Sequence, residues 1–374
     1  MDNSRPTWAE IDLTAIHRNV HRVKQLLHPQ CNVMAVVKAD AYGHGMVPVA
    51  RTCLEAGATF LAVATLDEAV VLREAGMQAP VLVMGITPDG NAADAIAYDV
   101  DVAVFTIKTA EAFSKEACRQ NKTARIHLKV DTGMGRIGLP CEQGSTEIVK
   151  QIYQLPGIVI RGIFSHLATA DQTDKSFSNY QHQLFDQFCL QLEKQGIYIP
   201  IKHLANSAAI MDFPASHYNM VRSGIITYGL YPSAEVNRET LMLEPAMRLK
   251  TKILFLKTVK QGSSISYGRT FVSERETKVA TVPIGYADGY NRLFSNKAWA
   301  VVHGQKIQLI GRVCMDQCMF DVTTVKDINE GDEVILFGKD TDGVTADDLA
   351  RLIGTINYEI VCFPSSRVPR IYIA

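Results

Sequence analysis

No stretch of this 374-residue sequence is apolar over the ~18 consecutive residues that a membrane span needs, so no transmembrane helix is expected. The opening residues, MDNSRPTWAEID, lack the apolar core of a signal peptide, and a cytoplasmic protein is expected. Neither sign of charge is in excess. Lys and Arg number 38 against 39 Asp and Glu, a net charge of −1 that argues against nucleic acid or an anionic membrane as partner. The eight cysteines, at 31, 53, 118, 141, 189, 314, 318 and 362, are scattered. Only CMDQC brings two together, and no histidine pair completes a zinc pattern; inert thiols in a reducing cytosol are expected, and no metal. His17 and His21 have the spacing of helical metal ligands but lack a third ligand. DTDG at 340–343 lacks the rest of a calcium loop and reads as a turn.

What is there is enough for two domains, with 47% hydrophobic residues to build cores. Between residues 32 and 222, eight short apolar runs alternate with amphipathic stretches. The runs are VMAVVK, FLAVA, VLVMG, VAVF, RIHLKV, IVIRGIF, IPIKHL and NMVR, and several of the intervening helix candidates end in glycine. Strands alternating with helices predict a parallel sheet closed as a (β/α)8 barrel. An open doubly wound sheet is the competitor, though no G-x-G-x-x-G follows the first run. After roughly Pro232 the texture changes to strand-like segments separated by Gly, Asn and Asp turns, with one helix candidate, TADDLARLIGTI. The fold class is therefore α/β: residues 1–235 as a barrel and 236–374 as a smaller, mostly β domain. TWAEIDL, ahead of the first barrel run, is a candidate to pair with the second domain.

The C-terminal ends of barrel strands are where such folds carry chemistry. Lys38 follows the first run, in AVVKADAYGHG, where Gly43 and Gly45 allow a tight turn. Lys129 and DTGMGRIG end the fifth, His166 the sixth, HLANS the seventh, and Arg222-Ser223-Gly224 the eighth. Taken singly, each reads as a strand-ending lysine, a surface arginine or a serine N-cap. Taken together, they place an anion site after strands seven and eight, opposite a lysine. That pairing suits pyridoxal phosphate, which needs a Schiff-base lysine, a phosphate cradle and a partner for its ring nitrogen, here Arg222.

These segments resemble the alanine racemases. AVVKADAYGHG is similar to that family's pyridoxal-phosphate attachment signature. HLKVDTGMGRIG, SHLATAD, HLANS, VRSGIITYGLYP, SYGRTF, PIGYADGY, GRVCMDQ and INYEIVC follow in the family's order. The resemblance implies a homodimeric isomerase with active sites shared between subunits, interconverting L- and D-alanine and supplying D-alanine for bacterial peptidoglycan. It implies that Lys38 holds pyridoxal 5′-phosphate covalently and that Tyr42, Ser207, Gly224, Ile225 and Tyr358 cradle the phosphate. Arg222 would face the pyridine nitrogen, with His166 beside the ring. Arg136 and the Met315 backbone would hold the substrate carboxylate, while Tyr286 and Tyr358 narrow the entrance. Lys38 and Tyr267 are the implied bases, on the D- and L-sides, with Tyr267 contributed by the other subunit. In relatives the lysine at the position of Lys129 is often carbamylated; a plain salt-bridging lysine is the other reading. A broad-specificity amino-acid racemase is the alternative function. A decarboxylase of the same barrel type places a carboxylate where Arg222 stands, and a pure binder needs no Tyr267.

Overall fold

The computed structural model describes residues 5–142 and 144–374. Two compact units emerge. One comprises Ile16–Ala41 and Met46–Leu243; the other comprises the described residues up to Ala15, Tyr42–Gly45, and Glu244–Ala374.

In the first unit the eight runs are eight parallel strands, each beside the next in sequence: Asn32–Val36, Phe60–Val63, Val81–Val83, Asp101–Val104, Ala124–Asp131, Ile158–Phe164, Ile201–His203 and Met220–Ser223. The eighth strand pairs with the first, Arg222 opposite Met34, so the sheet curls back on itself. At the remaining seam the Arg222 amide donates to the Ala205 carbonyl at 3.0 Å. This neighbour-to-neighbour order is that of a nearly closed barrel, not of an open doubly wound sheet. The strands are short and rich in Val, Ile, Leu and Ala, and four of them (residues 60–63, 81–83, 101–104 and 220–223) are buried at every position, as strands covered on both faces must be. Three of the helices between them start on side-chain caps. Thr65 opens Leu66–Glu74, Thr106 opens Ile107–Gln120 and Asn206 opens Ser207–Asp212, each accepting a first-turn N–H.

The second unit is built on a nine-stranded, mostly antiparallel sheet. Thr7–Asp12 lies within it, antiparallel to Met247–Lys252 and parallel to Arg370–Ile373. Ala9 and Ile11 are fully buried while alternate residues are not, the period-2 signature of a strand with one covered face. The helix expected from TADDLARLIGTI is Ala346–Ile353, opened by a Thr345/Asp348 capping box.

A single cut after residue 235 therefore does not describe the chain. The N-terminal strand belongs with the β unit because its two ladders are there. Residues 42–45 group with it too: Arg370 Nε donates to the Gly43 carbonyl at 2.9 Å, and a Cβ on Gly43 would overlap the Val361 carbonyl. No helix among the described residues is long and apolar enough to cross a membrane.

Candidate active site

Lys38 stands two residues beyond the first barrel strand, at the head of an unusual turn. Ala39, Asp40, Ala41 and Tyr42 have φ of 53°, 51°, 54° and 53°, four consecutive non-glycine residues in the left-handed region. Each such residue costs roughly 1–2 kcal/mol, so the four together cost on the order of 4–8 kcal/mol. The expected glycine turn is present, with Gly43 at 78° and Gly45 at 94°, but the reversal begins four residues earlier. Neighbouring side chains hold it. Glu68 accepts the Ala39 N–H at 2.6 Å through one oxygen and the Ala64 N–H at 2.7 Å through the other. Asp40 accepts the Met46 N–H at 2.7 Å and so caps helix Met46–Glu55. Just before Lys38, the Tyr228 hydroxyl donates to the Val36 carbonyl at 2.8 Å. Strain of this size persists only where the surroundings enforce it.

Arg222, from the eighth strand, is buried and saturated with acceptors. Its NH1 donates to the His203 carbonyl at 2.8 Å and meets His203 Nδ1 at 3.2 Å. Its NH2 donates to the Ser165 and Leu204 carbonyls at 2.8 and 3.0 Å and meets His166 Nδ1 at 3.3 Å. Among the described residues no hydrogen bond is recorded from Nε, whose N–H is the donor left for a ligand. Burial, then the charge of Arg136, pushes Arg222 down to about 9, still cationic at neutral pH.

His166 is held well below the usual imidazole range by burial and then by Arg222, Arg136, Lys129 and Lys38. Lys129 is pushed down to about 8 by burial, which the charge of Asp131 opposes and those of Arg222 and Arg136 reinforce. Its amine donates to the Val130 carbonyl at 2.6 Å and lies over the Phe164 ring.

The loop carrying Arg136 is organised by Asp131, whose carboxylate accepts the N–H groups of Gly133 and Gly135. Thr132 and Ser165 hydroxyls meet at 2.8 Å, tying this loop to the strand end that bears His166. Gln181 braces both, donating to Thr132 and to the His166 carbonyl. Ser207 Oγ accepts the Gly224 N–H at 2.9 Å, so the hydroxyl and the turn beginning at Gly224 and Ile225 are neighbours. An anion at such a turn meets N–H and O–H donors.

The remaining expected residues belong to the β unit. The rings of Tyr42 and Tyr358 are 6.2 Å apart. Burial, then the Cys362 thiol, pushes the Tyr42 phenol up, so it stays a hydrogen-bond donor. Tyr267 opens a short turn and is 70% exposed. The preceding Ser266 donates to the Arg312 carbonyl at 2.7 Å. Met315 and Tyr286 sit on adjoining turns stitched by backbone bonds, Tyr286 N–H to Cys314 and Ala287 N–H to Met315. The structure thus gathers Lys38, Arg136, His166 and Arg222 in one field, brings Ser207 against Gly224, and carries Tyr267, Tyr286 and Met315 on neighbouring turns of the other unit.

Several supporting residues were not read from the sequence. Glu68 had a local signal, the T-x-x-E capping box of Thr65–Glu68. Tyr228 and Gln181 had none, because each acts on a partner that only the fold brings near.

Residues 11–232 match the family model described as "Alanine racemase, N-terminal domain", and residues 246–372 match "Alanine racemase, C-terminal domain". An alanine racemase of Methanococcus maripaludis is 47% identical over 99% of this chain and 99% of its own length. One from Desulforamulus reducens is 48% identical over 98% and 99%. Among solved structures, an alanine racemase of Clostridium difficile superimposes with a TM-score of 0.96 at 41% identity, covering 99% of this chain and 96% of that one. The Bacillus anthracis enzyme, solved with bound L-Ala-P, gives 0.93 at 40% identity, covering 99% and 95%. With both domain models matched and near-complete relatives at this identity, the chain belongs to the alanine racemase family.

Proposed function

We propose that this protein interconverts L- and D-alanine with pyridoxal 5′-phosphate bound covalently at Lys38. The observation that carries the reading is the barrel rim itself, where an amine, a guanidinium with one N–H to spare and a neutral imidazole converge. The donor set suits the coenzyme. Lys38 offers an amine for its aldehyde and Arg222 Nε–H a donor for its ring nitrogen. Ser207, Tyr42 and Tyr358 hydroxyls, with the Gly224 and Ile225 backbone, suit its phosphate. When bound, the coenzyme spreads the negative charge left at the α-carbon as its proton departs.

The protein's own groups do the rest. Racemisation takes a proton from one face of a carbon and returns one to the other, and one group on one face cannot do both. Lys38 exchanges a proton with the D-enantiomer and Tyr267 with the L-enantiomer. Arg136 and the Met315 N–H hold the carboxylate. Arg222 stays protonated, so it donates to the ring nitrogen and keeps a proton off it. That weakens the electron sink and favours return of the proton to Cα over transamination. The functional unit in this reading is a cytoplasmic homodimer, each site completed by Tyr267 of the other protomer, and its product supplies peptidoglycan.

Protein reconstituted with pyridoxal phosphate should be coloured and should erase the optical rotation of L-alanine while D-alanine accumulates. Lys38→Ala and Tyr267→Ala should each abolish turnover, and mixing the two should restore part of it. A colourless reconstituted protein, or rotation that stays constant, sinks the proposal. A mixture without rescue removes only the shared site.

A further inference from the structure

A line of polar side chains runs through the barrel core behind Arg222. His203 Nε2 lies 2.9 Å from His127 Nδ1, and His127 Nε2 lies 3.4 Å from Asp101 Oδ2. All three residues are fully buried. Asp101 is anchored at the far end, where Arg125 Nε donates to it at 2.8 Å and Arg161 at 3.1 Å.

The proton positions follow from one constraint: a guanidinium can only donate. Facing Arg222 NH1, His203 Nδ1 must therefore accept, which puts the His203 proton on Nε2. That N–H points at His127 Nδ1, which must accept in turn, putting the His127 proton on Nε2. The His127 N–H faces a carboxylate, which can only accept while ionised. At 3.4 Å this last link is an ion–dipole contact rather than a full hydrogen bond, yet it has the right polarity. Every donor faces an acceptor, from the cation at one end to the anion at the other, with the His127–Asp101 link the longest. Burial keeps both imidazoles below the usual histidine range, as two neutral rings require. The carboxyl of Asp101, which burial alone would raise, is brought low by His127, Arg125 and Arg161. Gly162 belongs to the arrangement too, since a Cβ there would overlap the His127 ring.

We propose that Asp101 is a positioning residue for the reaction: through His127 and His203 it sets the direction of this hydrogen-bond line and so holds Arg222 with Nε–H free for the coenzyme ring. The inference rests on the function proposed above for its consequence in catalysis, but not for the proton positions. If the line lost its acceptor end, His203 could shift its proton to Nδ1, where it would oppose Arg222 NH1 and turn the guanidinium.

The test begins without coenzyme. Ring 15N spectra of the histidine-labelled apoprotein should show His127 and His203 neutral, both carrying the proton on Nε2, with no titration from about pH 6 to 8. A proton on His203 Nδ1, or a doubly protonated ring, overturns the proposal whatever the activity. Asp101→Asn, which removes the charge in the same volume, should populate the other His203 tautomer. In the reconstituted enzyme it should raise transamination relative to racemisation by about tenfold or more. Arg161→Gln, which leaves the carboxylate in place, should cost stability without moving either readout. If Asp101→Asn does not fold, His127 decides. His127→Gln keeps an acceptor toward His203 and a donor toward Asp101 and should preserve the partition, whereas His127→Leu should shift it. Unchanged tautomers and partition in Asp101→Asn, or equal partitions in the two His127 variants, would reduce Asp101 to a structural ion pair and overturn the proposal.

Discussion

The hydroxyl of Tyr228 donates to the carbonyl of Val36 across 2.8 Å, and both residues are buried. The bond joins the turn after the eighth strand to the end of the first, two residues before Lys38. The same short path thus links the region of Gly224 and Ile225 to the lysine. Removing the hydroxyl leaves a buried carbonyl short of a partner, at a cost of about 1–3 kcal/mol. Tyr228→Phe should lower the thermal midpoint accordingly and lower kcat for alanine more than it raises KM, because it frees Lys38 rather than the carboxylate grip. Unchanged kcat with a lowered midpoint would show that the bond serves stability alone.

The left-handed turn makes a counterintuitive forecast. Ala→Gly ordinarily costs roughly 0.5–1 kcal/mol through chain entropy. Ala39 has φ 53° and is exposed, so glycine there relieves a left-handed penalty of roughly 1–2 kcal/mol with no packing lost. Ala39→Gly should be neutral or stabilising by up to about 1 kcal/mol, and Ala39→Val clearly destabilising. Chemical denaturation of the two variants decides it, and a glycine variant weaker than wild type would contradict the account.

Lys129 gives a pH dependence whose sign is fixed by its environment. Its amine titrates near 8 in the folded protein, against 10.5 for the ordinary group. The unfolded chain binds the extra proton between these values, so folding stability rises with pH across that window. Below about pH 8 the amine is protonated in both folded and unfolded chains, so the full cost of burying its charge applies, and Lys129→Gln should be more stable than wild type there. Measured in carbon-dioxide-free buffer, the gap between the two should close from pH 8 toward 10.5. A constant gap would mean that Lys129 titrates normally.

An amine near neutrality is also nucleophilic toward carbon dioxide. Exposure to labelled carbon dioxide at about pH 8 should give a carbamate signal that Lys129→Gln lacks, converting a cation beside Arg136 into an anion. No signal would leave Lys129 as a plain buried amine.

Asp288 is 1% exposed and takes two hydrogen bonds from Arg5, at 2.7 and 2.9 Å, while Arg367 approaches at 3.2 Å. Its carboxylate also accepts the Gly285 N–H, setting the turn that carries Tyr286. Arg5→Gln leaves the buried Asp288 carboxylate without its main partner and should cost about 3 kcal/mol or more. Asp288→Asn removes the buried charge and leaves two partly exposed arginines, of which Arg367 keeps Asp316, so it should cost less, about 1–2 kcal/mol. Equal losses in the two variants would mean that the burial of Asp288 is not what matters.

The barrel was legible because its strands announce themselves. Eight runs such as VLV and FLAV are too apolar to face water on either side, and their spacing leaves room for one helix each. The rim residues were legible for the same reason, since the end of a run is visible in one dimension. Tyr267 and Met315 came from motif resemblance alone, because nothing in a turn of a β domain marks a base or a carboxylate grip. The N-terminal strand was half legible. Its period-2 pattern shows a strand, but its partners lie some 240 and some 360 residues away in sequence.

By itself, then, the order of residues determined which segments bury both faces, where those segments stop, and which reactive groups stand at the stops. These are local properties, set by hydrophobicity and backbone preference over a few residues. Only the folded chain decided that Ala39 to Tyr42 wind left-handed, since Glu68 and the Asp40–Met46 bond hold that strain in place. Only the folded chain decided that Asp101, His127, His203 and Arg222 form one line of donors and acceptors. Each lies on a different strand, and hydrogen-bond direction is a property of pairs that the closing of the barrel brings within 3–4 Å.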